Sequence, residues 1–464
     1  MLFNSLIFTL FLPIVFTIFW ITPAKHRNLF LLIASYYFYY SYNPYFLVLL
    51  IGTSAFDFWC AKKISQSQKK KFFLCLSLIS NLGVLFAFKY FVFFYNSIVG
   101  GFNLHFNFLN QFIIPAGLSF YTFQSISYTI DVYRGKYLPK DKLQDFLLYV
   151  SFFPHMVAGP IVRYNDLMPQ LKVVTYFKNI NWEQSIKLIL WGYFKKLVVA
   201  DNLNNLVTPV FNNVTSFSSL ELCIASLGFV IQVYADFSGY SDIAIGVAKL
   251  FNINLNINWR RPLFSTSLHE FWKRNHISIT NWFRDYLYIG LGGNRKGKFR
   301  WLLNIFLVFI ISAMWHGANF TFLIWGLWHA IFFIIEIIYL ERFKKFNAPK
   351  VFGWTYLIVF HTISLIAFRA NSIIDLKYIY KQLFNLNFDF SLLKLFELND
   401  LSLYIVMIIS VFILLFKDLH EEFNLLKNNR FKDVLFKPAF YIVIAFLIVA
   451  FGNFNSNAFI YFQF

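Results

Sequence analysis

Of three candidate histidines, two stand where a histidine is expensive. His316 and His329 fall in apolar stretches of membrane length, within Met314-Trp315-His316-Gly317-Ala318-Asn319 and Trp328-His329-Ala330. His276 lies upstream in a polar run, Trp272-Lys273-Arg274-Asn275-His276-Ile277-Ser278. Desolvating an imidazole costs free energy unless it finds a partner, so an ionisable ring in a hydrocarbon-length segment is a functional candidate. Imidazole titrates near neutrality, which suits it to take a proton from a hydroxyl or to relay an acyl group. The competing account of any one such ring is a hydrogen-bonded packing residue. Three of them beside a basic, aromatic loop favour a catalytic site reached from the cytosol.

Geometry limits how these rings can meet. On one straight helix His316 and His329 would stand about 20 Å apart along the axis and roughly 140° apart around it. They can share a site only if Gly317 or Gly326 breaks the helix. His276, arriving from a loop, is the easier partner for His316.

Basic side chains crowd the approach. Arg260, Arg261, Lys273, Arg274, Arg284, Arg295, Lys296, Lys298 and Arg300 face only Glu270 and Asp285 within residues 258–300. One reading is positive-inside topology with contact to anionic headgroups. The other is a phosphate-rich ligand such as coenzyme A, or an acidic carrier protein, with Arg260, Arg261, Lys273, Arg274 and Arg284 as donor-binding candidates.

Several soluble-enzyme signatures fail on inspection. Gly292 to Lys298 fits the start of a P-loop, but Phe299 stands where a magnesium-binding hydroxyl belongs, so the glycines read as a turn. His269-Glu270 opens a zincin-like motif that Lys273 interrupts. Cys60, Cys75 and Cys223 have no metal spacing and read as buried packing thiols. No metal is expected.

The elements that position these residues are membrane helices. The 464-residue chain is 58% hydrophobic and 14% charged, with 64 Phe, 27 Tyr and 12 Trp, well below the roughly 25% charged of soluble proteins. Its +19 net charge sits in short loops between apolar segments, which argues against nucleic acid and for topology. Residues 2–21 lack a basic n-region and a cleavage site and read as a first span. Lys25-His26-Arg27, Lys62-Lys63, Lys69-Lys70-Lys71, Arg134 with Lys136, and Arg342 with Lys344 and Lys345 mark cytosolic loops. Asn43-Pro44 reads as the turn between two spans. Residues 147–162, broken by Pro154, Gly159 and Pro160, read as a re-entrant element. Asp236 and Asp242 should face an interior or an interface. Residues 417–437 are charged and expected in the cytosol.

Five blocks in order carry a family resemblance: GLSFYTFQSISYTIDVYRG from Gly117, SFFPHMVAGPIVR from Ser151, YADFSGYSDIAIG from Tyr234, FWKRNHISITNWFRDYLYIGLGGNR from Phe271 and MWHGANFTFLIWGLWHA from Met314. The chain resembles the membrane-bound O-acyltransferase family, in the bacterial branch that O-acetylates alginate and peptidoglycan. The resemblance implies an all-α polytopic fold of about ten to twelve spans, with re-entrant helices around a central funnel. It implies one membrane domain over residues 1–464 with its catalytic core at 258–330. It places the family histidines on His316 and His276 and matches a further histidine at His329. It implies acetyl-coenzyme A as donor with no bound cofactor, a periplasmic acetyltransferase partner, an envelope polysaccharide as acceptor, and a bacterial inner-membrane location. Heavy use of Phe, Ile, Lys and Asn goes with an AT-rich genome and tilts the acceptor toward peptidoglycan over alginate. A transporter using buried His and Asp is the competing class.

Overall fold

The computed structural model describes residues 1–91, 115–157, 159–342, 349–385, 393–423 and 438–454. Lys344 and Lys345, and residues 424–437 of the segment expected in the cytosol, lie outside the described residues. Among the described residues the regular elements are helices, with no strand. They form two compact units, Met1–Ile189 with Ile243–Ile257, and Leu190–Asp242 with Asn258–Phe464.

The first unit carries α1 (Leu6–Ile21), α2 (Arg27–Tyr40), α3 (Pro44–Gln66), α4 (Lys70–Lys89), α5 (Leu118–Tyr133), α6 (Leu143–Ser151), α7 (Phe153–Met156) and α8 (Tyr164–Lys172). Asn43-Pro44 starts α3 rather than merely turning the chain. Asn43 accepts the Tyr45 N–H at 2.9 Å and Pro44 occupies the first turn, where a missing donor costs nothing. The broken stretch near Pro154 forms two short buried helices, α6 and α7, as its punctuation implied.

Helix α4 is inside out by the standards of a soluble protein. It buries Ser77, Asn81 and Leu85 while Phe72, Ile79, Leu82 and Phe86 lie exposed. Ser77 donates to Asp57 of α3 at 2.6 Å, and Asn81 Nδ2 donates to both Asp57 oxygens at 2.7 and 2.9 Å. Polar side chains joining helices whose outer faces are apolar is the pattern of a membrane bundle. Cys60 is buried, but Cys75 is exposed on α4, so it is not the buried thiol its setting suggested.

Helix α9 (Trp182–Tyr193) continues through a π-helical stretch, Phe194–Ala200, into α10 (Asp201–Asn212); α11 (Ser219–Leu250) follows. Within the second unit Lys196 binds Asp201 at 2.8 Å and Asp236 at 2.7 Å, and Lys195 binds Asp242 at 2.6 Å. Asp236 and Asp242 therefore face an interior. Gly239 makes this possible: a Cβ there would stand 2.8 Å from the Gly192 carbonyl oxygen.

The unit continues with α12 (Leu268–Arg274), α13 (Ile277–Trp282), α14 (Lys298–His316), α15 (Phe320–Arg342), α16 (Lys350–Arg369), α17 (Ile373–Phe384), α18 (Leu393–Leu398), α19 (Leu401–Phe423) and α20 (Pro438–Phe451). Over the whole described chain seven helices are long and apolar enough to cross a membrane, and α1 and α20 are shorter apolar helices. The protein is a multi-pass membrane protein. Several stretches read as spans are shorter than a bilayer requires, among them α2 with 14 residues and α5 with 16.

Helices α14 and α15 pack closely because Gly326 has no side chain. A Cβ there would fall 2.5 Å from Ala313 Cβ and 3.0 Å from the Phe309 carbonyl oxygen. Gly326→Val should force the two helices apart and destabilise the protein by about 1–3 kcal/mol. A lowered thermal midpoint in detergent checks this; an unchanged one would show that the pair has room to give.

Candidate active site

The break that His316 and His329 need in order to meet is present, and it falls at Gly317. Helix α14 ends at His316, and Asn319 restarts the chain by accepting the Thr321 N–H at 3.1 Å. Asn319 Nδ2 also donates to the Asn371 carbonyl at 3.0 Å, tying the turn to the end of α16. At Gly317 a Cβ would sit 2.1 Å from the Phe322 ring. Phe322 packs on Phe368, which packs on His316 with centroids 4.8 and 5.2 Å apart. The Gly317 position thus holds the wall beside His316.

Folded back antiparallel, α14 and α15 line one cavity of about 550 Å³, built wholly from the second unit. Trp301, Ile305, Phe309, Ser312 and His316 face it from α14, and Trp325, His329, Phe333 and Ile337 from α15. The spacing is near one turn each time, so the cavity is a tunnel running roughly 22 Å along α14 by helical rise. His276, His316 and His329 all line it. Trp325 stands between His316 and His329, with centroids 5.0 and 4.7 Å away. Trp315 stands between His316 and His276, at 4.7 and 6.5 Å.

His361, on α16, also lines the tunnel, 5.6 Å from His329 by ring centroids. Sequence reading missed it. The signal was the one that identified His316 and His329, an imidazole inside an apolar stretch, and it applied equally to residues 351–368.

His276 is held by a short, well-fixed loop. Its backbone is left-handed, with φ of +43°, a region most side chains avoid. Arg260 N–H donates to the Arg274 carbonyl and Ile277 N–H to the Asn258 carbonyl, both at 2.9 Å, closing the loop around it. The Ser278 N–H donates to Asn258 Oδ1 at 3.0 Å, which fixes that amide oxygen toward the loop. His276 Nδ1, 3.3 Å from the same oxygen, must then carry the proton. Burial pushes its imidazolium down to about 3, so the ring is neutral with Nε2 as an acceptor. That tautomer cannot donate to an oxyanion through Nε2. It suits His276 to accept a hydrogen bond or to position the loop.

The basic residues divide. Arg261 pairs with Glu421 and Glu422, each at 3.0 Å. Arg274 pairs with Glu270 at 2.6 Å and Glu422 at 2.7 Å. Both are engaged in fixing the loop to the end of α19. Lys273 and Arg284 line the tunnel, Arg284 beside Asp285 at 2.8 Å, and Arg260 is exposed. Within residues 258–300 the charges looked nearly unopposed, but their carboxylates come from far along the chain. Glu336 of α15 adds another, accepting the Leu268 and His269 N–H groups at 2.7 and 2.9 Å and anchoring the start of α12. The Gly292 to Lys298 stretch is a turn, with Gly292, Gly293 and Gly297 at positive φ and Asn304 Nδ2 donating to the Gly293 carbonyl at 2.8 Å.

The sequence profile of the membrane-bound O-acyltransferase family matches residues 140–379, a span containing all five histidines that line the tunnel, His269 included, but not Glu421 or Glu422. A probable alginate O-acetylase of Pseudomonas aeruginosa is 36% identical over 415 residues, 87% of this chain and 78% of the relative. Its counterpart in Pseudomonas putida is 36% identical over 412 residues, 87% and 83% of the two chains. A peptidoglycan O-acetyltransferase of Helicobacter pylori is 35% identical over 424 residues, 83% and 80%.

The neutral state of His276 has a consequence for stability. Between its ordinary value of 6.5 and about 3 the unfolded chain binds a proton that the folded chain does not. Its contribution is complete above pH 6.5 and is lost as pH falls through that window. His276→Gln should flatten the acid limb of a stability profile taken from pH 7.5 to 4. Parallel profiles for both proteins would show that the ring titrates freely.

Proposed function

The chain belongs to the membrane-bound O-acyltransferase family and is an acyltransferase, and from that we propose that it O-acetylates a cell-envelope polysaccharide using His316 as its catalytic base. The observation that carries the assignment is the tunnel: His316 lines it from the last turn of α14, within a sheath of Trp315, Trp325 and Phe368. The donor is acetyl-coenzyme A entering from the cytosolic side, with Lys273 and Arg284 at the tunnel wall supplying positive charge for its phosphates. Arg260 joins them from the exposed loop, while Arg261 and Arg274 hold that loop in place.

Neutral His316 takes the proton of the acceptor hydroxyl as that oxygen attacks the thioester carbonyl. The new C–O bond forms, the C–S bond breaks, and the leaving thiolate takes the proton back from His316. Acetyl thioester and hydroxyl become acetyl ester and thiol, with no net proton change. The hydroxyl belongs to a serine or tyrosine of a periplasmic partner or to the sugar itself, so the acetyl group is passed across the inner membrane. His329 lies one ring beyond His316 and bears on the donor rather than the acceptor. Peptidoglycan is the first acceptor to test, on the AT-rich character of the composition. The 36% identity to an alginate O-acetylase makes alginate or another exopolysaccharide the second.

Correctly inserted His316→Ala protein should lose acetylation of the envelope polymer by at least about a hundredfold, the range of a lost general base. Ester-linked acetate on purified cell wall and on exopolysaccharide from the same cells reads both the loss and the acceptor. Acetylation that persists at wild-type level would remove His316 from the chemistry. A purified protein that moves substrate without releasing coenzyme A from labelled acetyl-coenzyme A would make it a transporter.

A further inference from the structure

Three arginines of the second unit differ in what neutralises them. Arg261 and Arg274 each hold two carboxylates. Arg369, the last residue of α16, is only 8% exposed and holds none among the described residues. Its Nη1 donates to Asn371 Oδ1 at 3.2 Å, its Nη2 donates to Thr208 Oγ1 at 3.5 Å, and its guanidinium lies 5.4 Å from the centre of the Phe211 ring. Two neutral oxygens and a ring face compensate poorly for taking a cation out of water. A guanidinium carries five N–H donors in a planar fork that matches a carboxylate. These contacts use two of them.

The place of this cation is as telling as its lack of a counter-charge. Helix α16 leaves the cytosolic loop that follows Arg342, and its 20 residues rise about 30 Å. Arg369 therefore stands at the outer face, across the membrane from Lys273 and Arg284. It is also close to the residue assigned as base. Phe368 packs on His316 with centroids 5.2 Å apart, and Asn319, in the turn after His316, donates to the Asn371 carbonyl at 3.0 Å. Asn371 Nδ2 donates in turn to the Phe211 carbonyl and to Asn212 Oδ1, both at 3.2 Å. Asn371 and Asn212 are exposed, so the cation lies beneath a rim of amides.

We propose that Arg369 binds a carboxylate of the acceptor strand at the outer face, with the amides of Asn371 and Asn212 meeting the strand's neighbouring polar groups. This rests on the reading of the protein as an O-acetyltransferase of an envelope polysaccharide, with the sugar itself as acceptor. A polyuronate carries carboxylates on its sugars and peptidoglycan carries them on its stem peptides, so the same group is available from either source. A side-chain amide offers both a donor and an acceptor to the hydroxyl and amide groups beside it. A strand anchored next to Phe368 keeps a hydroxyl close to His316 instead of drifting past it. The opposing account makes Arg369 a packing cation, held by the Phe211 ring and two oxygens.

The test uses purified protein in nanodiscs of zwitterionic lipid, titrated with an oligouronate and with a disaccharide muropeptide. Each is paired with its methyl ester, which removes the charge and keeps the rest. At least one acid should bind about tenfold tighter than its ester, the range of a hydrogen bond to a charged group, and which one does so identifies the source of the carboxylate. Arg369→Gln should abolish that difference and bind the esters like wild type. Arg369→Lys, which keeps the charge without the fork, should recover part of it. Ligand-free Arg369→Gln should melt no lower than wild type, because it withdraws a charge that no carboxylate compensates. Wild-type protein that binds acids and esters alike overturns the site, and so does Arg369→Gln protein that keeps the preference. Loss of acids and esters together, with a lowered melting point, also overturns it and places Arg369 in the fold. Anionic lipid that stabilises wild type but not Arg369→Gln, with no preference for either acid, overturns it in favour of a headgroup phosphate. Each of these results leaves the acyltransferase reading standing. Wild-type protein that releases no coenzyme A from acetyl-coenzyme A with any acceptor overturns that reading, and the proposed role of Arg369 with it.

Discussion

A helix surrounded by lipid has no water to satisfy its polar side chains, and the arrangement of this protein follows from that. Every polar group on an apolar helix must turn inward and find a partner there. Ser77 and Asn81 turn to Asp57, Lys196 lies between Asp201 and Asp236, and Glu336 turns to the free N–H groups at the start of α12. Apolar residues cover the outside, as Ile408, Ile409 and Phe412 do on α19. The interior is consequently where chemistry can be placed. Five of the chain's nine histidines, His269, His276, His316, His329 and His361, line one cavity.

Two local features turn that gathering into geometry. Gly317 lets the chain reverse directly after His316, and Gly326 lets the returning helix lie against the one it left. Together they bring His329 to within one indole of His316 although the two are 13 positions apart in sequence. The second feature is the carboxylate pair at the end of α19. Glu421 and Glu422 hold Arg261 and Arg274, which bracket the loop that carries His276 in its left-handed conformation. A strained backbone position persists only where its surroundings over-determine it. Here the ion pairs and the two backbone bonds closing the loop supply that.

Much of this was legible in the sequence, and for a physical reason. Hydrophobic runs give membrane helices, loop charges give topology, and an imidazole in an apolar run is conspicuous without any structure. That reasoning found His316 and His329, identified the Gly292 to Lys298 turn and placed Asp236 and Asp242 at an interior or an interface. It could not see what depends on distant chain segments. The carboxylates opposing Arg261 and Arg274 lie some 150 residues downstream, so those arginines read as unopposed and open to a ligand. The tautomer of His276 depends on the Ser278 N–H and the Asn258 amide meeting in space, which no spacing rule expresses. His361 is a different kind of miss, since the rule that found its neighbours was not carried through to the end of the chain.

The lining of the tunnel also constrains how His316 can work. No carboxylate lines the cavity among the described residues. A triad-type base is oriented and stabilised as imidazolium by a buried acid, and a cation pathway through a membrane is lined by acidic side chains. This cavity offers aromatic rings instead: Trp315, Trp325 and Phe368 surround His316 with centroids between 4.7 and 5.2 Å, in edge-type contacts. Aromatic faces attract a cation, though less strongly than a carboxylate does. An imidazolium formed there in the proposed mechanism would meet aromatic rings rather than a carboxylate. In that mechanism it would return its proton to the departing thiolate after taking it from the hydroxyl. Walls without a carboxylate among the described residues are unlike a cation pathway, which is the argument from physical chemistry against an ion transporter at this site.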